Sequence, residues 1–196
     1  MTDWTGNKRS IFGTLGASSH TDKERANQDF YATDPIAIDI LCSVEKFNGD
    51  IWECACGNCI LSNRLQYHGY NVISTDIVDR GCGTPGINFL YQHKTLAPNI
   101  ITNPPYKFAT EFVCKAMELL PQEGKLALFL KLQFLEGKQR KQLFEQYPPR
   151  VVYVSSSRIN CARNGNFNTE ESSAVAYAWF LWDKNYSGNT IVKWVN

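Results

Sequence analysis

The sequence predicts an α/β protein with a Rossmann-like, doubly wound and mostly parallel sheet that ends in an antiparallel C-terminal edge hairpin. Two observations predict this class. Short apolar runs alternate along the chain with amphipathic segments of helical period, which is the pattern of successive βαβ units. The small and polar residues that stand out follow three of these apolar runs, at the strand ends where such sheets bind ligands.

The first half of the chain supplies three strands and two helices of this pattern. Pro35 suits the first turn of a helix over residues 35–47, and Asp34 can serve as its N-cap. Gly69 fits a left-handed stop between the second helix and the strand that follows it. The other predicted elements of this half are a strand at 50–54, a helix at 60–67, a strand at 71–75, a glycine-containing loop at 79–90 and a strand at 99–102.

The second half continues the alternation with helices at 108–120 and 136–146. Residues 125–132 are almost all apolar, which is typical of a strand that is covered on both faces. Residues 156–172 are predicted to form a polar loop. The remaining predicted elements are a strand at 151–155, a long last strand at 174–182 and an edge strand at 190–195.

A chain of 196 residues is long enough for one domain with a sizeable core. We expect residues 30–196 to form that domain, with no separate target-recognition domain. Residues 1–29 lack hydrophobic periodicity and are expected to form a flexible N-terminal arm. No apolar run approaches the ~20 residues of a membrane span. The polar N-terminus also lacks the apolar core of a signal peptide.

The net charge and the cysteine content limit the expected contact with nucleic acid and the expected cell compartment. The net charge of +1 indicates that any contact with nucleic acid is small, or that the charge is locally segregated. Seven cysteines in a chain without a signal peptide favour reduced thiols in a cytoplasm.

Two of the three strand ends suit a nucleoside-containing ligand. The turn Glu53-Cys54-Ala55-Cys56-Gly57 consists mostly of small side chains, so a ligand can approach its backbone closely, and Gly57 can adopt positive φ. Asp76 ends the next strand at the distance of about 20 residues where a doubly wound site holds ribose hydroxyls. The fingerprint G-x-G-x-x-G does not follow the first strand, and the one stretch with that spacing, residues 81–86, lies in the loop after Asp76 rather than between a strand and a helix. The ligand should therefore contain a ribose but need not contain phosphate, and S-adenosylmethionine fits.

The third strand end carries the tetrapeptide Asn103-Pro104-Pro105-Tyr106. Its two prolines fix φ near −65° and remove two backbone donors. The amide oxygen of Asn103 and the carbonyl of Pro104 can accept both hydrogens of an exocyclic amine, while Tyr106 stacks on the base. Such acceptors favour a tetrahedral nitrogen whose lone pair points at a sulfonium methyl, so that positioning replaces a strong base. The target base must first leave its stack.

These motifs resemble those of class I S-adenosylmethionine-dependent amino-methyltransferases that act on DNA, in the compact form found in phages and prophages. Residues 30–35 resemble the family's N-terminal cofactor segment, and residues 52–57 resemble its Glu-Pro-Ala-Cys-Gly loop. Asp76-Ile77 resembles its acidic strand end, and residues 103–106 resemble its Asn/Asp-Pro-Pro-Tyr/Phe motif. The resemblance covers about residues 30–183.

The resemblance implies methyl transfer from S-adenosylmethionine to N6 of a flipped-out adenine in DNA, in the cytoplasm of a bacterial or phage-infected cell. We expect the Thr33 hydroxyl to meet the methionine carboxylate and Glu53 to lie near the amino end of the cofactor. The catalytic residues would be Asn103, Pro104, Pro105 and Tyr106. The implied cofactor contacts are Tyr31, Thr33, Glu53, Cys54, Ala55, Cys56, Gly57, Asp76, Ile77, Asn88 and Phe89.

Three positions depart from the family pattern. Cys54 stands where proline is usual, Cys59 where a second glycine is common, and Asn88 where aspartate is more usual. The bulk of Cys59 would crowd the methionine end of the cofactor. The amide oxygen of Asn88 can still pair with an adenine amino group.

Several alternatives stay open. Cys54, Cys56 and Cys59 offer three ligands to zinc, with Cys82 or His68 as a remote fourth. Buried thiols are far commoner, and we expect no metal. Arg158 and Arg163, in the predicted loop, are the candidates for contact with DNA phosphate. Cytosine N4, an RNA amine or a glutamine amide are alternative acceptors of the methyl group. A non-enzymatic binding or decoy module is the alternative of a different class.

Overall fold

The computed structural model of the chain describes residues 31–159, 161–163 and 175–196. These residues form a seven-stranded sheet and a separate two-stranded ribbon. The helices are α1 (Ile36–Val44), α2 (Ile60–Tyr67), α3 (Ala109–Leu119) and α4 (Lys138–Gln146). The strands are β1 (Tyr31–Thr33), β2 (Ile51–Glu53), β3 (Val72–Ser74), β4 (Asn99–Thr102), β5 (Lys125–Lys131), β6 (Val151–Ser155), β7 (Cys161–Arg163), β8 (Tyr177–Asp183) and β9 (Ile191–Val195). The arm that we expect at residues 1–29 lies outside the described residues.

The strand order of the large sheet is β3-β2-β4-β5-β8-β6-β9. The first four of these strands run parallel, and β9 runs parallel to β6. β8 lies antiparallel between β5 and β6. This topology confirms the Rossmann-like, mostly parallel class.

The predicted C-terminal hairpin differs in one respect, because β8 and β9 do not pair with each other. β8 lies inside the sheet, while β9 forms the edge beside β6. The reason is the composition of β8, which is apolar at almost every position and buries both Trp179 and Trp182. Such a strand is most stable where both of its faces are covered, because none of its apolar side chains then stays in contact with water.

Two apolar layers cover the two faces of the sheet. In β5, Leu126, Leu128 and Leu130 pack into the layer of α3 and α4. Ala127 and Phe129 pack into the layer of α1 and α2. Successive side chains of a strand point to opposite faces, so the unbroken apolar run of β5 serves both layers.

Three fully buried tryptophans of the sheet each have a hydrogen-bond acceptor for their indole N–H group. Trp52 donates to Thr75 Oγ1 at 2.9 Å, Trp179 to the Ala37 carbonyl at 2.7 Å, and Trp182 to the Tyr147 carbonyl at 3.0 Å. Each ring therefore buries a large apolar surface while its only polar group stays satisfied.

The small ribbon was not predicted from the sequence. β7 lies within the stretch that we expected to be a polar loop, and it pairs antiparallel with β1, with Ala32 opposite Ala162. A three-residue strand in polar surroundings carries no readable period, and its partner is distant along the chain. The ribbon matters because β1 ends at Thr33, beside the third strand end. None of the described helices is long and apolar enough to cross a membrane.

Candidate active site

A cavity of about 450 Å³ lies at the carboxyl ends of β2, β3 and β4. It brings together nearly all of the residues that the sequence singled out, although their roles stay predictions. The predicted residues that line it are Thr33, residues 53–57, Asp76, Ile77, Asn88, Phe89 and residues 103–106. Arg158 is exposed and does not line the cavity. The side chains of Tyr31 and Arg163 fall outside the described part of the chain.

The Asn103 amide is held by β1. Its Nδ2 donates a hydrogen bond of 2.8 Å to Oγ1 of Thr33, which is 2 % exposed. An amide that gives its nitrogen to Thr33 turns its oxygen to the other side. The predicted methionine-carboxylate contact would have to use the remaining hydrogen of the Thr33 hydroxyl, since that oxygen already accepts from Asn103.

The two prolines differ in how their carbonyls are used. The Pro105 carbonyl accepts a hydrogen bond of 2.8 Å from the backbone N–H of Phe108 and so starts the turn that leads into α3. Within residues 31–159, 161–163 and 175–196, no backbone N–H donates to the Pro104 carbonyl. The turn therefore leaves the carbonyl that the sequence predicted as an amine acceptor out of its own hydrogen bonding.

Tyr106 lines the cavity with its ring supported from β5 and β8. Its centroid lies 6.0 Å from the ring of Tyr177, which in turn stacks on Phe129 at 5.3 Å. Lys131 Nζ lies 5.2 Å from the centroid of Tyr106. These contacts set the plane of Tyr106 before any ligand arrives, which is what a stacking platform requires.

Asp76 connects the Gly57 turn to the end of β3. Its Oδ2 accepts from Gly57 N at 2.8 Å, and its Oδ1 accepts from Val78 N at 2.9 Å. Gly57 adopts φ of +57°, as expected. A carboxylate has about four acceptor positions, so these two bonds leave room for ribose hydroxyls.

Glu53 is a fully buried carboxyl group on the cavity wall. Burial, reinforced by the nearby charge of Asp76, raises its pKa to about 8, although the Ser62 side chain donates a hydrogen bond to Glu53 Oε2. At neutral pH the group is therefore mostly protonated. A cation that entered the cavity would favour the ionised form.

Asn88 and Phe89 form the wall beside Asp76. Asn88 Oδ1 accepts from Leu90 N at 3.0 Å and caps the short turn Phe89–Tyr91. Phe89 packs on Trp52 and Phe112, with centroid distances of 5.2 and 4.8 Å. The amide oxygen of Asn88 thus has a structural role already, and a contact with adenine would use its second lone pair.

Sequence reasoning missed the residues around the mouth of the cavity. Arg80 and Lys107 line it, together with the aromatic side chains of Tyr91 and Phe108, which are 76 % and 40 % exposed. Lys107 and Phe108 follow the tetrapeptide directly, so their place beside the cavity could have been predicted from the sequence. Arg80 and Tyr91 lie in the long loop, whose path no periodic pattern reveals.

The cysteines are arranged differently from our expectation of reduced thiols. Cys59 and Cys82 form a disulfide, and their Cα atoms lie 6.3 Å apart, within the usual range. Cys42, Cys54, Cys56 and Cys114 are free. Cysteines that are 23 residues apart give no sign in the sequence that the fold brings them together.

Two further expectations concern Cys59. It is not among the residues that line the cavity, so the expected crowding of the cofactor by Cys59 gains no support. Among the described residues, the sulfur atoms that could approach a metal are those of Cys56, Cys59 and Cys82, rather than the set with Cys54. Two of these three sulfurs are joined in the disulfide, and a disulfide sulfur is not a thiolate ligand.

Comparison with known proteins supports the fold. No family model and no curated protein sequence matches the chain. The structure is similar to a Listeria monocytogenes protein assigned to the class I S-adenosylmethionine-dependent methyltransferases, with a TM-score of 0.56 and 12 % identity over 95 % of this chain and 71 % of that one. It is also similar to a Lactococcus lactis protein assigned as a hemolysin, with a TM-score of 0.57 and 10 % identity over 81 % of this chain and 91 % of that one.

A third similar structure is the type IIG restriction endonuclease BpuSI. Its TM-score is 0.55 at 12 % identity, over 85 % of this chain and 27 % of the endonuclease. At such identities the similarity concerns the fold alone, which is the Rossmann-like fold that the Listeria protein also has.

Proposed function

We propose that this chain is an S-adenosylmethionine-dependent methyltransferase that methylates N6 of adenine in DNA. The observation that carries the proposal is that residues 103–106 line the same cavity as the Gly57 turn and Asp76. These groups lie far apart in the sequence and meet at the ends of three parallel strands. An amine acceptor and a cofactor site must face one another in this way for methyl transfer.

The cofactor half of the cavity suits S-adenosylmethionine. Its volume of about 450 Å³ lies within the range of small-molecule sites. The buried Glu53 would face the ammonium group, Asp76 the ribose hydroxyls, and Ile77 and Phe89 the adenine ring. The Asp76 carboxylate disfavours a phosphate there, and a bound cation would favour the ionised form of Glu53 as well, which agrees with a nucleoside sulfonium. S-adenosylmethionine, when bound, would supply the methyl group for a single displacement.

The acceptor half prepares the target amine. The Asn103 oxygen and the Pro104 carbonyl would each accept one amine hydrogen, so that the nitrogen lone pair turns toward the cofactor. The hydrogen bond from Asn103 to Thr33 would hold the amide in that orientation. Tyr106 would stack on the flipped base. No covalent enzyme intermediate and no metal is needed for this reaction.

DNA is proposed as the substrate from the mouth of the cavity as well as from the resemblance. Arg80 and Lys107 can pair with phosphate, and Tyr91 and Phe108 offer exposed rings for stacking of bases. The exposed Arg158 would add a phosphate contact away from the cavity. Cytosine N4 would use the same two acceptors, and adenine is preferred here on the resemblance alone.

The test is labelled-methyl transfer with the wild-type protein and two variants of Asn103. Asn103→Ala removes the acceptor and should lower kcat by roughly 10²–10³-fold, by analogy with the loss of one oxyanion donor. The dissociation constant of S-adenosylmethionine should change little. Asn103→Asp is the matched control, because it keeps an acceptor oxygen at the same place and should retain measurable transfer.

Parallel assays on DNA, RNA and protein identify the acceptor, and mass spectrometry of digested DNA identifies the product. N6-methyladenine is expected. N4-methylcytosine, or transfer only to RNA or protein, would contradict the proposed substrate. Undiminished transfer by Asn103→Ala would contradict the mechanism. Calorimetry that detects no binding of S-adenosylmethionine at millimolar concentration would favour a binding or decoy module instead.

A further inference from the structure

Three sulfur atoms lie together behind the wall of the cavity. Cys59 stands at the start of α2, and Cys82 lies in residues 79–87, which we call the clasp loop. The disulfide joins these two cysteines, and the sulfurs of Cys56, Cys59 and Cys82 all lie within 4.8 Å of one another. The Cys59–Cys82 disulfide itself takes no part in the proposed methyl transfer, although Cys56 also lines the cavity.

The disulfide connects two segments that shape the cavity. Gly57 and Asn58, directly before Cys59, line it, and so do Arg80 and Ile87 of the clasp loop. The second half of the clasp loop is bound to β3 by backbone hydrogen bonds. These run from Thr84 N to the Ser74 carbonyl at 2.9 Å, from Asp76 N to the Thr84 carbonyl at 3.1 Å and from Ile87 N to the Asp76 carbonyl at 3.0 Å. The disulfide attaches the first half to α2.

The disulfide can be reached from outside the main cavity. A separate pocket of about 350 Å³ is lined by both Cys59 and Cys82, and by the amide side chains of Asn58, Asn63 and Gln66. Cys82 is half-buried, whereas Cys59 is 5 % exposed. A thiol that enters this pocket therefore meets Cys82 first.

The third sulfur lies close to this pair but is a weak nucleophile. Cys56 is 4 % exposed, and burial raises its pKa to about 12. Its thiol is accordingly protonated at neutral pH and a weak nucleophile toward the neighbouring disulfide. Thiol–disulfide exchange at this pair therefore requires a thiol from solution.

We propose that Cys59 and Cys82 form a thiol–disulfide exchange site for a dithiol reductant, and that the oxidised pair holds the clasp loop in the position that shapes the cavity. A thiolate of the reductant attacks Cys82 Sγ, the Cys59–Cys82 bond breaks, and Cys59 leaves as a thiolate that takes up a proton. The second thiol of the reductant then attacks the mixed disulfide, releases Cys82 as a thiol and leaves the reductant as a disulfide. The protein gains two electrons and two protons, and the dithiol loses them.

Two readouts test this site without reference to methyl transfer. The full chain is compared before and after dithiothreitol by counting alkylated thiols and by hydrogen exchange of the clasp loop. Reduction should add two alkylated thiols, at Cys59 and Cys82. It should also speed amide exchange in residues 79–87 roughly five-fold or more, which is the lower range of a coupling between two sites. An unchanged thiol count, or reduction without faster exchange, would overturn the proposal.

Variants separate the disulfide from other thiol effects. Cys82→Ser should show the fast exchange of the reduced protein with or without dithiothreitol. Cys114→Ser, which removes an exposed free thiol of α3, should respond like the wild type. If Cys82→Ser fails to fold, Cys59→Gly replaces it, because Cys59 has φ of +60°, a conformation that glycine adopts without strain. A redox response that persists in Cys59→Gly would contradict the proposal.

A final readout rests on the proposed function. The dissociation constant of S-adenosylmethionine should rise roughly five-fold or more on reduction. Equal affinity in both forms would show that the clasp loop does not control the cavity. If neither form binds S-adenosylmethionine, the proposed function fails, and the thiol count and hydrogen exchange still decide whether the exchange site exists.

Discussion

Thr33 and Asn103 show how a single hydrogen bond changes the role that a residue is expected to play. The sequence and the resemblance associate Thr33 with the cofactor, whereas its Oγ1 accepts the Asn103 Nδ2–H at 2.8 Å. A group that acts through another residue is a positioning residue, and it should affect the rate more than the binding. The two roles can be separated by measurement.

We expect Thr33→Val, which keeps the shape but removes the hydroxyl, to lower kcat roughly ten-fold, the worth of one neutral hydrogen bond. The dissociation constant of S-adenosylmethionine should stay within about two-fold. Steady-state kinetics and calorimetry measure both. Thr102→Val is the control, since Thr102 Oγ1 has no hydrogen-bond partner within the described residues. A large rise in the dissociation constant with unchanged kcat would instead support the carboxylate contact.

Glu53 makes stability depend on pH. Its pKa rises from 4.5 to about 8 because burial disfavours the charged form. A raised pKa means that the folded protein binds more protons than the unfolded chain between these values. The stabilisation from the neutral group is therefore fully present below about pH 4.5 and is lost as pH rises through about 8.

We expect Glu53→Gln to differ little in stability from the wild type near pH 5 and to be more stable by roughly 2–4 kcal/mol near pH 9. Urea unfolding across this range measures the difference. Glu118→Gln is the control, because a hydrogen bond from Lys115 lowers the pKa of that carboxyl and no alkaline gain should follow. A constant difference between Glu53→Gln and wild type at all pH values would contradict the assignment.

At the scale of elements, the helices and strands that carry a periodic or local sequence signal were predicted correctly. The helix at 60–67 and the strand at 99–102 match the structure residue for residue. Asp34 Oδ1 accepts from Ile36 N at 3.0 Å, as an N-cap does. The tetrapeptide and Asp76 were found because strand ends can be located from local patterns alone.

What could not be predicted depends on contacts between distant segments. β7 exists because β1 lies beside it, and β8 lies inside the sheet because its two apolar faces need cover from both layers. The disulfide requires the clasp loop to return to α2, and no short-range pattern encodes that path. The same holds for Arg80 and Tyr91 at the cavity mouth.

The clasp loop permits a matched test of packing. Gly83 and Gly86 both have positive φ, of +67° and +77°. A Cβ on Gly83 would lie 2.8 Å from Cys56 Sγ and 2.9 Å from the Ser74 carbonyl oxygen, whereas a Cβ on Gly86 would meet nothing within 4 Å. The two positions thus share the backbone strain but differ in the space around them.

Gly86→Ala should lower the free energy of unfolding by about 1 kcal/mol, from left-handed strain alone. Gly83→Ala should lower it by a further ~2 kcal/mol, because the Ser74 carbonyl belongs to β3 and cannot move aside cheaply. Urea unfolding of both variants in the oxidised form measures this. Equal effects would mean that the clasp loop is not packed against β3 as described.

At the scale of the whole molecule, the net charge of +1 limits how DNA can be held. A protein that follows a long duplex needs many cations on one face, whereas the cations that the proposal uses are Arg80 and Lys107 at the cavity and the exposed Arg158. The proposed complex must therefore rely on the flipped base and on stacking more than on phosphate contacts. The dependence of DNA affinity on salt reports this directly.

We expect log K for DNA to fall with log salt with a slope of about −2 to −3, corresponding to two or three phosphate contacts. Arg158→Ala should make the slope shallower by about 1 and weaken binding to all sequences alike. Lys46→Ala is the control, because Lys46 is exposed between α1 and β2, at the opposite end of the strands from the cavity. Fluorescence anisotropy with a short duplex measures all three. A wild-type slope steeper than about −5 would contradict a DNA contact confined to two or three phosphates.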